Sequence, residues 1–405
     1  MRVLIVSQNF WPEGFRINEV AKSLSEKGVE VEILTGKPNY PAGKVFDGYQ
    51  ADGCLQETFH GIPVHRVPLR PRGRGAVGLA RNYLSFVLNG LVFAPRLLRG
   101  KRFDAIFVYA TSPVLQALPA IYLGWRKKTP VALWVQDLWP ESLSATGYVK
   151  NRYILKAVEW VVRYIYKRMS LLLVQSEAFF GPVGKLAPAT EIRYYPNSVD
   201  DSFARPVEGD TPGLPGLDAG FSVMFAGNIG SAQAVEVIVE AATLLAADAD
   251  IQFVVVGDGS RRDWMLQEIK ARGLSNVHLP GRFPSERMPG FMQQASALLV
   301  TLADEEIFAA TVPNKIQAYL AAGRPIIASV NGEGARLVLA AGAGVTAAAQ
   351  DGAALAEAIR TLHAMPPAER EQMGANGRAY YRAKFDHESL VSDLIRHLQT
   401  MRRKS

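Results

Sequence analysis

Residues able to bind an anion are concentrated in the stretch 312–334, which is predicted to form a loop, a short helix, a strand and a turn. Asn314 is expected to cap the start of the helix, and Gly323 and Pro325 are expected to end it. A helix start offers unpaired N–H groups and the positive end of a dipole, and Lys315 adds a full charge in the first turn. A cation is unfavourable there unless an anion accompanies it. The pattern therefore indicates phosphate binding, and a solvated surface lysine is the alternative.

A second group of candidate side chains follows a predicted strand in the first half of the chain. Asp137 and Glu141 carry carboxylates at the end of this strand, and Trp134 and Trp139 flank Asp137. Carboxylates act as bases or bind sugar hydroxyls, and indole rings stack on a sugar face. A catalytic or sugar-binding role is predicted here. The alternative is a helix start with acidic residues near its positive end.

Glycine-rich turns follow several predicted strands. One contains Gly14, just ahead of a helix, and two others contain Gly227 and the pair Gly257 and Gly259. Glycine lets the backbone approach a ligand closely. None of the turns has the full Gly-x-Gly-x-x-Gly pattern of dinucleotide folds. Each turn alone is ordinary loop chemistry, but together with the Lys315 helix they indicate one ligand site.

Two sets of alternating strands and helices must position these residues. Strands are expected at Val3–Ser7, Val29–Thr35, Pro63–Val67, Ala105–Tyr109, Val131–Val135, Leu171–Val174 and Ile192–Tyr195, and again at Ser222–Ala226, Ile251–Val256, Val277–Leu279, Ala297–Thr301 and Ile326–Val330. This alternation predicts an α/β protein with two doubly wound, Rossmann-like domains. Ligands of such sheets bind beyond the carboxyl ends of the strands, so the domains are expected to face a cleft.

The predicted domain boundaries follow composition. The first domain is placed at 1–204, a linker rich in proline and glycine at 205–220, the second domain at 221–380 and a final helical segment at 381–405. The tail from Pro367 is expected to be helical, with breaks near Gly374–Gly377 and at Asp386–Glu388.

Basic residues surround an apolar run in the first half. The chain of 405 residues has a formal net charge of +7, and no acidic residue lies between Glu57 and Asp104. That interval contains Arg66, Arg70, Arg72, Arg74, Arg81, Arg96, Arg99, Lys101 and Arg102. The pattern predicts docking on a membrane surface through Arg66–Arg102. A buried helix with solvated arginines is one alternative, and nucleic-acid binding is another that no motif supports. The uncharged run from Asn82 to Pro95 is shorter than the ~20 residues of a spanning helix.

Other features limit the class of protein. A single cysteine, Cys54, excludes an internal disulfide framework and fits a reducing compartment. The first residues, Met1–Ser7, have the pattern of a strand rather than of a signal peptide. No metal site is predicted, because the histidines have no metal-ligand spacing.

Several motifs together resemble those of GT-B glycosyltransferases of family four, over essentially the whole chain. They are Phe-Ala-Gly-Asn-Ile-Gly at 225–230, Val-Gly-Asp-Gly at 256–259, Gly-Arg-Phe-Pro at 281–284 and Pro-Asn-Lys-Ile-Gln-Ala-Tyr-Leu-Ala-Ala-Gly-Arg-Pro at 313–325. The segments 134–142 and 313–325 resemble in particular the bacterial L-fucosamine transferases of O-antigen and capsule assembly.

The resemblance implies an activity and roles for residues. Family members transfer a sugar from a nucleotide donor, with retention at the anomeric carbon and without a required metal, and their last helix crosses back to the first domain. The second domain would hold the nucleotide and the first the acceptor. The implied donor-binding residues are Gly14, Gly227, Asn228, Gln233, Asp258, Arg282, Phe283, Asn314, Lys315 and Glu333. Of these, Gly14, Asn228, Gln233 and Lys315 would surround the diphosphate, Arg282 and Phe283 the base, and Asp258 or Glu333 the ribose. The predicted acceptor-binding residues are Arg16, Asn18 and Trp139.

The chain departs from the family pattern near the diphosphate. Asn228 and Gln233 stand where the family often has an arginine and a lysine, and Ala310 and Ala318 stand at the positions of its Glu-x7-Glu motif. More of the charge stabilisation would therefore fall on Lys315 and on helix starts.

The resulting hypothesis is a cytoplasmic glycosyltransferase, peripheral on the inner face of the cell membrane. It would move a sugar, expected to be UDP-linked, onto a lipid-diphosphate-linked saccharide in cell-surface polysaccharide synthesis, with Asp137, Glu141 and Lys315 as catalytic residues and no nucleic-acid partner. No cofactor is expected beyond the nucleotide-sugar substrate. A UDP-sugar epimerase of the same fold and a catalytically inactive membrane scaffold are the alternatives.

Overall fold

The computed structural model describes residues 1–73, 75–145, 151–199, 201–204 and 213–401. It divides into two compact units. Met1–Pro196 with Glu388–Ser405 form the first unit, and Asn197–His387 form the second. Predicted features at Arg74, at Asp200 and within 205–212 and 402–405 lie outside the described residues.

Strands and helices alternate through both units. The strands are β1 (Arg2–Val6), β2 (Glu30–Thr35), β3 (Leu55–Phe59), β4 (Ile62–Arg66), β5 (Ala105–Ala110), β6 (Val131–Val135), β7 (Leu171–Val174), β8 (Glu191–Tyr194), β9 (Phe221–Asn228), β10 (Ile251–Asp258), β11 (Val277–Gly281), β12 (Ala297–Thr301), β13 (Ile326–Ser329) and β14 (Gly344–Ala347). The helices are α1 (Ile17–Glu26), α2 (Gly75–Leu97), α3 (Ala117–Lys127), α4 (Glu141–Ala145), α5 (Arg152–Arg168), α6 (Phe180–Leu186), α7 (Glu236–Leu244), α8 (Arg262–Arg272), α9 (Met288–Gln294), α10 (Glu306–Ala309), α11 (Asn314–Ala322), α12 (Glu333–Ala340), α13 (Gly352–Ala364), α14 (Pro367–Lys384) and α15 (His387–Gln399).

The first unit is built on a sheet in the order β3-β4-β2-β1-β5-β6-β7-β8. Its central strand, β1, pairs in parallel with β2 on one side and β5 on the other. Residues 3–6 of β1 are fully buried, as expected of a parallel strand covered by helices on both faces. The last helix, α15, returns to this unit and places Val391 and Leu394 in its core.

The edge strand β3 was not predicted from the sequence. It pairs antiparallel with β4 across a turn in which His60 and Gly61 both have positive φ, 47° and 81°. Such a turn matches the twist of a two-stranded hairpin. Alternate residues of β3 are exposed, so it lacks the continuous apolar run that marks the buried strands.

The second unit contains a parallel sheet in the order β11-β10-β9-β12-β13-β14. The direction of winding reverses between β9 and β12, just as it reverses between β1 and β5 in the first unit. The two predicted doubly wound sheets are therefore present. Ligands of such folds bind at the carboxyl ends of the strands beside the reversal.

The units divide at Pro196 and His387 rather than at residues 204 and 380. Burial of apolar side chains explains the difference. Val199 and Leu217, one ahead of the predicted linker and one inside it, are buried in the core of the second unit. Tyr381 and Phe385, assigned to the final segment, lie in the same core.

The predicted break near Gly374–Gly377 is wrong, because α14 continues through it. A Cβ atom at Gly374 would lie 2.2 Å from the carbonyl oxygen of Gly323, at the end of α11. These glycines therefore allow α14 to pack closely against α11 and do not end the helix.

The apolar run in the first unit belongs to a longer helix than predicted. The helix α2 spans 23 residues, and by length and composition its segment Val77–Leu97 is long enough to cross a membrane. The prediction that the run Asn82–Pro95 is too short to cross a membrane is therefore corrected, because the helix is longer than the run. However, α2 packs against α3, and it buries Asn82, Phe86 and Ala94. A helix of this length and composition also occurs on the sheets of proteins that do not span membranes.

Candidate functional site

Two glycine turns meet at the carboxyl edge of the second sheet. Gly227 near the end of β9 and Gly257 near the end of β10 are paired in register, with φ of 133° and 151°. A Cβ atom on Gly257 would lie 1.8 Å from the carbonyl oxygen of Gly227, so only glycine fits there. The backbone of the exposed β9 turn can therefore approach a ligand without an intervening side chain.

Hydrogen bonds hold these turns in place. The Ile229 N–H donates to the carbonyl of Asp258 over 2.8 Å, and the Thr301 hydroxyl at the end of β12 donates to the carbonyl of Gln233. The amide of Asn228 donates to the side-chain oxygen of Gln233 over 2.9 Å. The structure thus brings together Gly227, Asn228 and Gln233, which were predicted as donor ligands, at the reversal of the sheet.

Lys315 lies against this turn. Its Nζ is 3.6 Å from the centroid of the Phe225 ring, and a Cβ atom on Gly227 would touch the lysine at 2.7 Å from Cε and 3.1 Å from Nζ. Lys315 is partly exposed as a whole residue, but its Nζ is buried and has no hydrogen-bond partner among the described residues. Burial lowers the pKa of this ammonium to about 7. A buried cation without a hydrogen-bond partner is costly, so the arrangement suits an anionic ligand.

Tyr319 fixes α11, and with it Lys315, on the sheet. Its buried hydroxyl accepts a hydrogen bond from the Ala226 N–H and donates to the carbonyl of Leu299, both over 3.2 Å. The two partners lie on β9 and β12, so the helix is tied to both strands at the reversal. Sequence periodicity gave no sign of this contact.

The start of α11 differs from the prediction. Pro313, with extended backbone, occupies the cap position, and Asn314 is the first helical residue. The Asn314 side-chain oxygen accepts a hydrogen bond from the amide of Asn197 over 3.3 Å instead of capping the helix. A Cβ atom at Gly334 in α12 would lie 3.3 Å from Pro313, so the starts of α11 and α12 are adjacent. Their free N–H groups and dipoles favour negative charge nearby.

The remaining predicted donor ligands have partners or lie apart. Both Glu333 carboxylate oxygens accept hydrogen bonds from Arg336, and an Asp258 oxygen accepts one from the Gly259 N–H over 2.8 Å. Arg282 is exposed beyond β11, and Phe283 packs against Phe291 with ring centroids 5.0 Å apart. Ala318, at the position of the second family glutamate, is buried in α11.

The first unit holds a second candidate site, around Asp137. The carboxylate of Asp137, just beyond β6, accepts a hydrogen bond from the Ser112 hydroxyl over 3.2 Å, and the indole N–H of Trp139 donates to the same hydroxyl over 3.0 Å. Burial raises the pKa of Asp137, and its hydrogen bonds with Ser112 oppose this shift. Burial also raises the pKa of Tyr109 to about 12, with Arg16 lowering and Asp137 raising that value. Arg16 and Asp137 are therefore both close enough to Tyr109 to influence its pKa.

The tryptophans do not form the predicted stacking surface. Trp134 is 1% exposed and donates its indole N–H to the carbonyl of Tyr195, while Trp139 is 6% exposed. Both rings fill the core, which corrects the sugar-stacking interpretation. Glu141 is exposed in the first turn of α4, where a carboxylate interacts favourably with the helix dipole. This position supports the alternative stated for Glu141.

Glu13 and Asn39 were missed in the sequence. The buried carboxylate of Glu13 accepts hydrogen bonds from the N–H groups of Asn39 and Tyr40, each over 2.7 Å, and of Phe10 over 3.2 Å. Burial raises the pKa of Glu13, although these backbone bonds oppose the shift. The carboxylate thus joins the loops that follow β1 and β2. Residues 36–41 contain two prolines, a glycine and an asparagine, which is typical of an ordered turn. This pattern could have indicated the loop from the sequence.

Other predicted acceptor residues belong to the same loops. The Asn18 amide accepts from the Trp11 N–H over 3.1 Å and donates to the Glu13 carbonyl over 2.7 Å, so it braces the loop. Gly14 lies at the exposed tip of that loop. Gly14 belongs to the first unit, and the structure groups it with Asn18.

Arg66 does not belong to the predicted basic surface. Its side chain is fully buried, donates to the carbonyls of Gly36 and Trp11, and pairs with Glu57. The physical reason is its position at the end of β4, below the loops that follow β1 and β2. The membrane prediction therefore loses this residue.

Two family descriptions match the chain. "Glycosyl transferase 4-like domain" matches residues 14–198, and "Glycosyl transferases group 1" matches residues 220–365. The first match ends two residues beyond Pro196, and the second lies within the second unit. The two matches together cover 331 of the 405 residues, and the chain is a glycosyltransferase of this two-domain type.

Individual members of this family are distant from the chain. WcaI of Escherichia coli (strain K12), named as a colanic acid biosynthesis glycosyl transferase, is 22% identical over 80% of this chain and 82% of its own. The 2-deoxystreptamine N-acetyl-D-glucosaminyltransferase of Niallia circulans is 24% identical over 78% and 79%. The solved structure of Anabaena HepE in complex with UDP has a TM-score of 0.72 at 15% identity, covering 99% of this chain and 100% of that one.

These comparisons confirm the predicted GT-B fold and the glycosyltransferase family. They do not single out the L-fucosamine transferases, because the relatives carry several different names. The turn at Gly227 and the Lys315 helix both lie within the group 1 match. The candidate acceptor loops lie within or just ahead of the 4-like match.

Proposed function

We propose that this glycosyltransferase moves a sugar from a UDP-linked donor, with retention, onto a lipid-diphosphate-linked saccharide during cell-surface polysaccharide synthesis. The observation that carries the proposal is the buried Nζ of Lys315, which has no hydrogen-bond partner among the described residues and lies beside the Gly227 turn. The UDP complex of HepE, which has the same fold, supports the choice of nucleotide. The colanic acid role in the name of WcaI supports the polysaccharide.

The donor diphosphate is placed at the starts of α11 and α12. Asn228 and Gln233 can donate neutral hydrogen bonds there, and Lys315 adds positive charge. Charge develops on the leaving diphosphate as the bond from the anomeric carbon to its oxygen breaks. A fixed cation in a site that excludes water stabilises such charge strongly. This role makes Lys315 the principal electrostatic catalyst of the proposed reaction.

The acceptor is placed in the first unit, near Asp137. In the proposed step an acceptor hydroxyl oxygen bonds to the anomeric carbon, UDP departs with the electrons of the broken bond, and the hydroxyl proton passes to the Asp137 carboxylate. The raised pKa of Asp137 suits it to accept a proton, and Ser112 orients the carboxylate. Arg16, at the start of α1, is assigned to the anionic part of the acceptor.

The membrane-facing surface is proposed to extend beyond α2. Side chains exposed on three helices are Val77, Leu84, Leu88 and Val92 of α2, Trp125 of α3, and Tyr153, Ile154, Trp160 and Tyr164 of α5. The helix α3 packs against both α2 and α5, so these helices form one layer. Basic residues on or next to them include Arg81, Arg96, Arg126, Lys156, Arg163 and Lys167. Exposed tryptophans among basic residues are typical of proteins that bind an anionic bilayer surface. We assign the protein to the cytoplasmic face of the membrane, where the nucleotide-sugar would be available.

Calorimetric titration with UDP tests the donor site. We expect UDP to bind at least tenfold more weakly to Lys315→Met than to the wild type, a difference of about 1.4 kcal/mol. Lys270→Met, which replaces an exposed lysine of α8, is the matched control and should bind normally. Equal UDP affinity in the Lys315 variant would place the diphosphate elsewhere. Binding of NAD⁺ without binding of UDP or GDP would overturn the proposed function.

Sedimentation with vesicles tests the membrane surface. The wild type should bind vesicles containing anionic lipid, and less so at high salt. Trp160→Ser and Leu88→Ser, on different helices of the layer, should each reduce the bound fraction. Leu244→Ser, which changes an exposed leucine of the second unit, is the control. If the two sets of variants behave alike, the helix layer is not the docking surface.

A further inference from the structure

A cavity in the second unit lies at the opposite edge of the sheet from the glycine turns. Its volume is about 510 Å³, within the range of small-molecule sites. Ser296 and Pro325, which line it, directly precede β12 and β13, so the cavity lies at the amino ends of these strands. The turns around Gly227 lie at the carboxyl ends. The cavity is therefore separate from the proposed donor site.

Three arginines line this cavity with a single carboxylate. They are Arg324 after the end of α11, and Arg370 and Arg378 on α14, and the carboxylate is that of Glu371. Among the described residues, no ion pair within 4.0 Å joins any of these four side chains to another group. The lining therefore has an excess of positive charge that protein carboxylates do not neutralise.

Backbone carbonyls orient the guanidinium groups. Arg324 donates to the carbonyl of Gln293, Arg370 to that of His363 over 3.0 Å, and Arg378 to that of Gly323 over 3.4 Å. Arg370 also lies over the Phe221 ring, 5.1 Å from its centroid. Each guanidinium has five N–H donors in a planar fork, so most donors remain for a ligand. Each acceptor carbonyl lies at or next to the C-terminal end of a helix, where a cation is favourable, and the remaining N–H groups are available to a ligand.

The positive charges of Arg324 and Arg378 repel one another. The pKa of Arg324 is lowered by burial and further by the charge of Arg378, and Glu371 opposes the shift only in part. A ligand with several oxygen atoms and negative charge would relieve this repulsion. Arginine forks bind phosphate oxygens in pairs, so the chemistry favours a phosphate group.

We propose that this cavity binds a small phosphate-bearing molecule, separately from the nucleotide-sugar, with Arg324 and Arg378 as its principal ligands. The volume leaves room for an organic part beside the phosphate. The cavity adjoins the C-terminal end of α11, whose N-terminal end carries Lys315. Nine residues of helix separate the two ends by about 13 Å. A ligand held at one end is thus positioned to change the donor affinity at the other.

Calorimetric titration with inorganic phosphate and with glucose 6-phosphate tests the proposal. At least one probe should bind the wild type, and Arg324→Gln and Arg378→Gln should each weaken it at least tenfold. Tighter binding of glucose 6-phosphate would show that the organic part is recognised, and equal binding would show that the phosphate alone is. Arg382→Gln, on the exposed face of α14 and outside the cavity lining, is the matched control and should bind normally.

The Lys315→Met protein separates this site from the donor site. It should retain the binding of the probe, because Lys315 does not line the cavity. Loss of the probe in Lys315→Met with normal binding in the arginine variants would place it in the donor site and overturn the proposal. Absence of binding to the wild type at millimolar probe would overturn it too. Thermal unfolding of each variant identifies loss of fold, and Arg378→Lys, which keeps the charge, should recover part of the binding if folding is intact.

Discussion

The carboxyl edges of the two sheets use different groups to form their candidate sites. In the second unit, the groups are backbone turns at Gly227 and Gly257, two helix starts and the single cation of Lys315. In the first unit they are the buried carboxylate of Glu13 and the partly buried carboxylate of Asp137, each of which accepts hydrogen bonds from neighbouring loops. The site in the second unit has a cation without a hydrogen-bond partner among the described residues, so it favours an anionic ligand. The carboxylates of the first unit already accept hydrogen bonds from the protein.

Because of this difference, we expect the two sites to recognise their ligands in different ways. A site of backbone N–H groups and one lysine binds any ligand with a diphosphate, so it suits a donor class shared by many enzymes. A site shaped by side-chain contacts between loops depends on the identity of each residue. We therefore expect the first unit to determine which acceptor is used and the second to supply the common chemistry.

Replacement of Asp137 by asparagine should have the largest effect. The variant keeps the shape of the side chain but cannot take a proton, and general-base catalysis typically contributes about 10²–10⁴-fold. We expect kcat to fall by about 100-fold or more, with UDP affinity unchanged because the proposed diphosphate site around Lys315 lies in the second unit.

Glu141→Gln is the matched comparison for Asp137→Asn. Glu141 is exposed at the start of α4, so its loss should change kcat little. A large fall in kcat for Glu141→Gln, together with a normal kcat for Asp137→Asn, would show that Glu141 rather than Asp137 accepts the proton.

The pH dependence of donor binding should be the next largest effect. The pKa of Lys315 in the free protein is about 7, and the diphosphate favours the charged form. Above pH 7 binding must therefore take up a proton, and UDP affinity should fall by up to about tenfold per pH unit. Titration in buffers of different ionisation enthalpy measures this proton uptake, which Lys315→Met should abolish. A pH-independent affinity above pH 7 would show that the lysine is already charged in the free protein.

The two sheets, the turn at Gly227 and the proposed role of Lys315 could be predicted from the sequence because each has a local signal. Buried parallel strands are continuous apolar runs, and glycine and proline mark their ends, so the two sheets and the turn at Gly227 could be predicted. Lys315 was found because a lysine in the first turn of a helix opposes the dipole. A local conflict of that kind needs no knowledge of the fold.

The parts that could not be predicted depend on contacts between distant segments. Glu13 reaches Asn39 across 26 residues, and Tyr319 reaches Ala226 across 93. Nothing local distinguishes these side chains from ordinary surface or core residues. The same holds for Trp134, whose position beside a carboxylate suggested sugar stacking until its burial in the core was known.

Replacement of Glu13 by glutamine should weaken the first edge. The carboxylate accepts three backbone N–H groups, whereas glutamine would present an amide donor towards at least one of them. Leaving a buried donor unpaired costs about 1–3 kcal/mol, so the melting temperature should fall. KM for the acceptor should rise because the loops after β1 and β2 lose their connection, and UDP affinity should stay constant. Glu26→Gln, an exposed change at the end of α1, removes the same charge from the first unit and is the control.

Replacement of Lys315 by methionine should stabilise the free protein while it weakens donor binding. The folded-state pKa of Lys315 is about 7, below the value of about 10.4 in an unfolded chain. Between these values the unfolded chain binds more protons, so the stability of the wild type rises with pH and is lowest near and below pH 7. Methionine removes the buried ammonium and keeps the apolar stem beside Phe225. We expect a gain on the order of 1 kcal/mol at pH 7, or roughly 2–4 °C in Tm, that shrinks towards pH 10. UDP should raise the Tm of the wild type more than that of the variant. A variant that melts at a lower temperature than the wild type at pH 7 would mean that Lys315 supports the fold, and the argument for an anion site at the second edge would lose its physical basis.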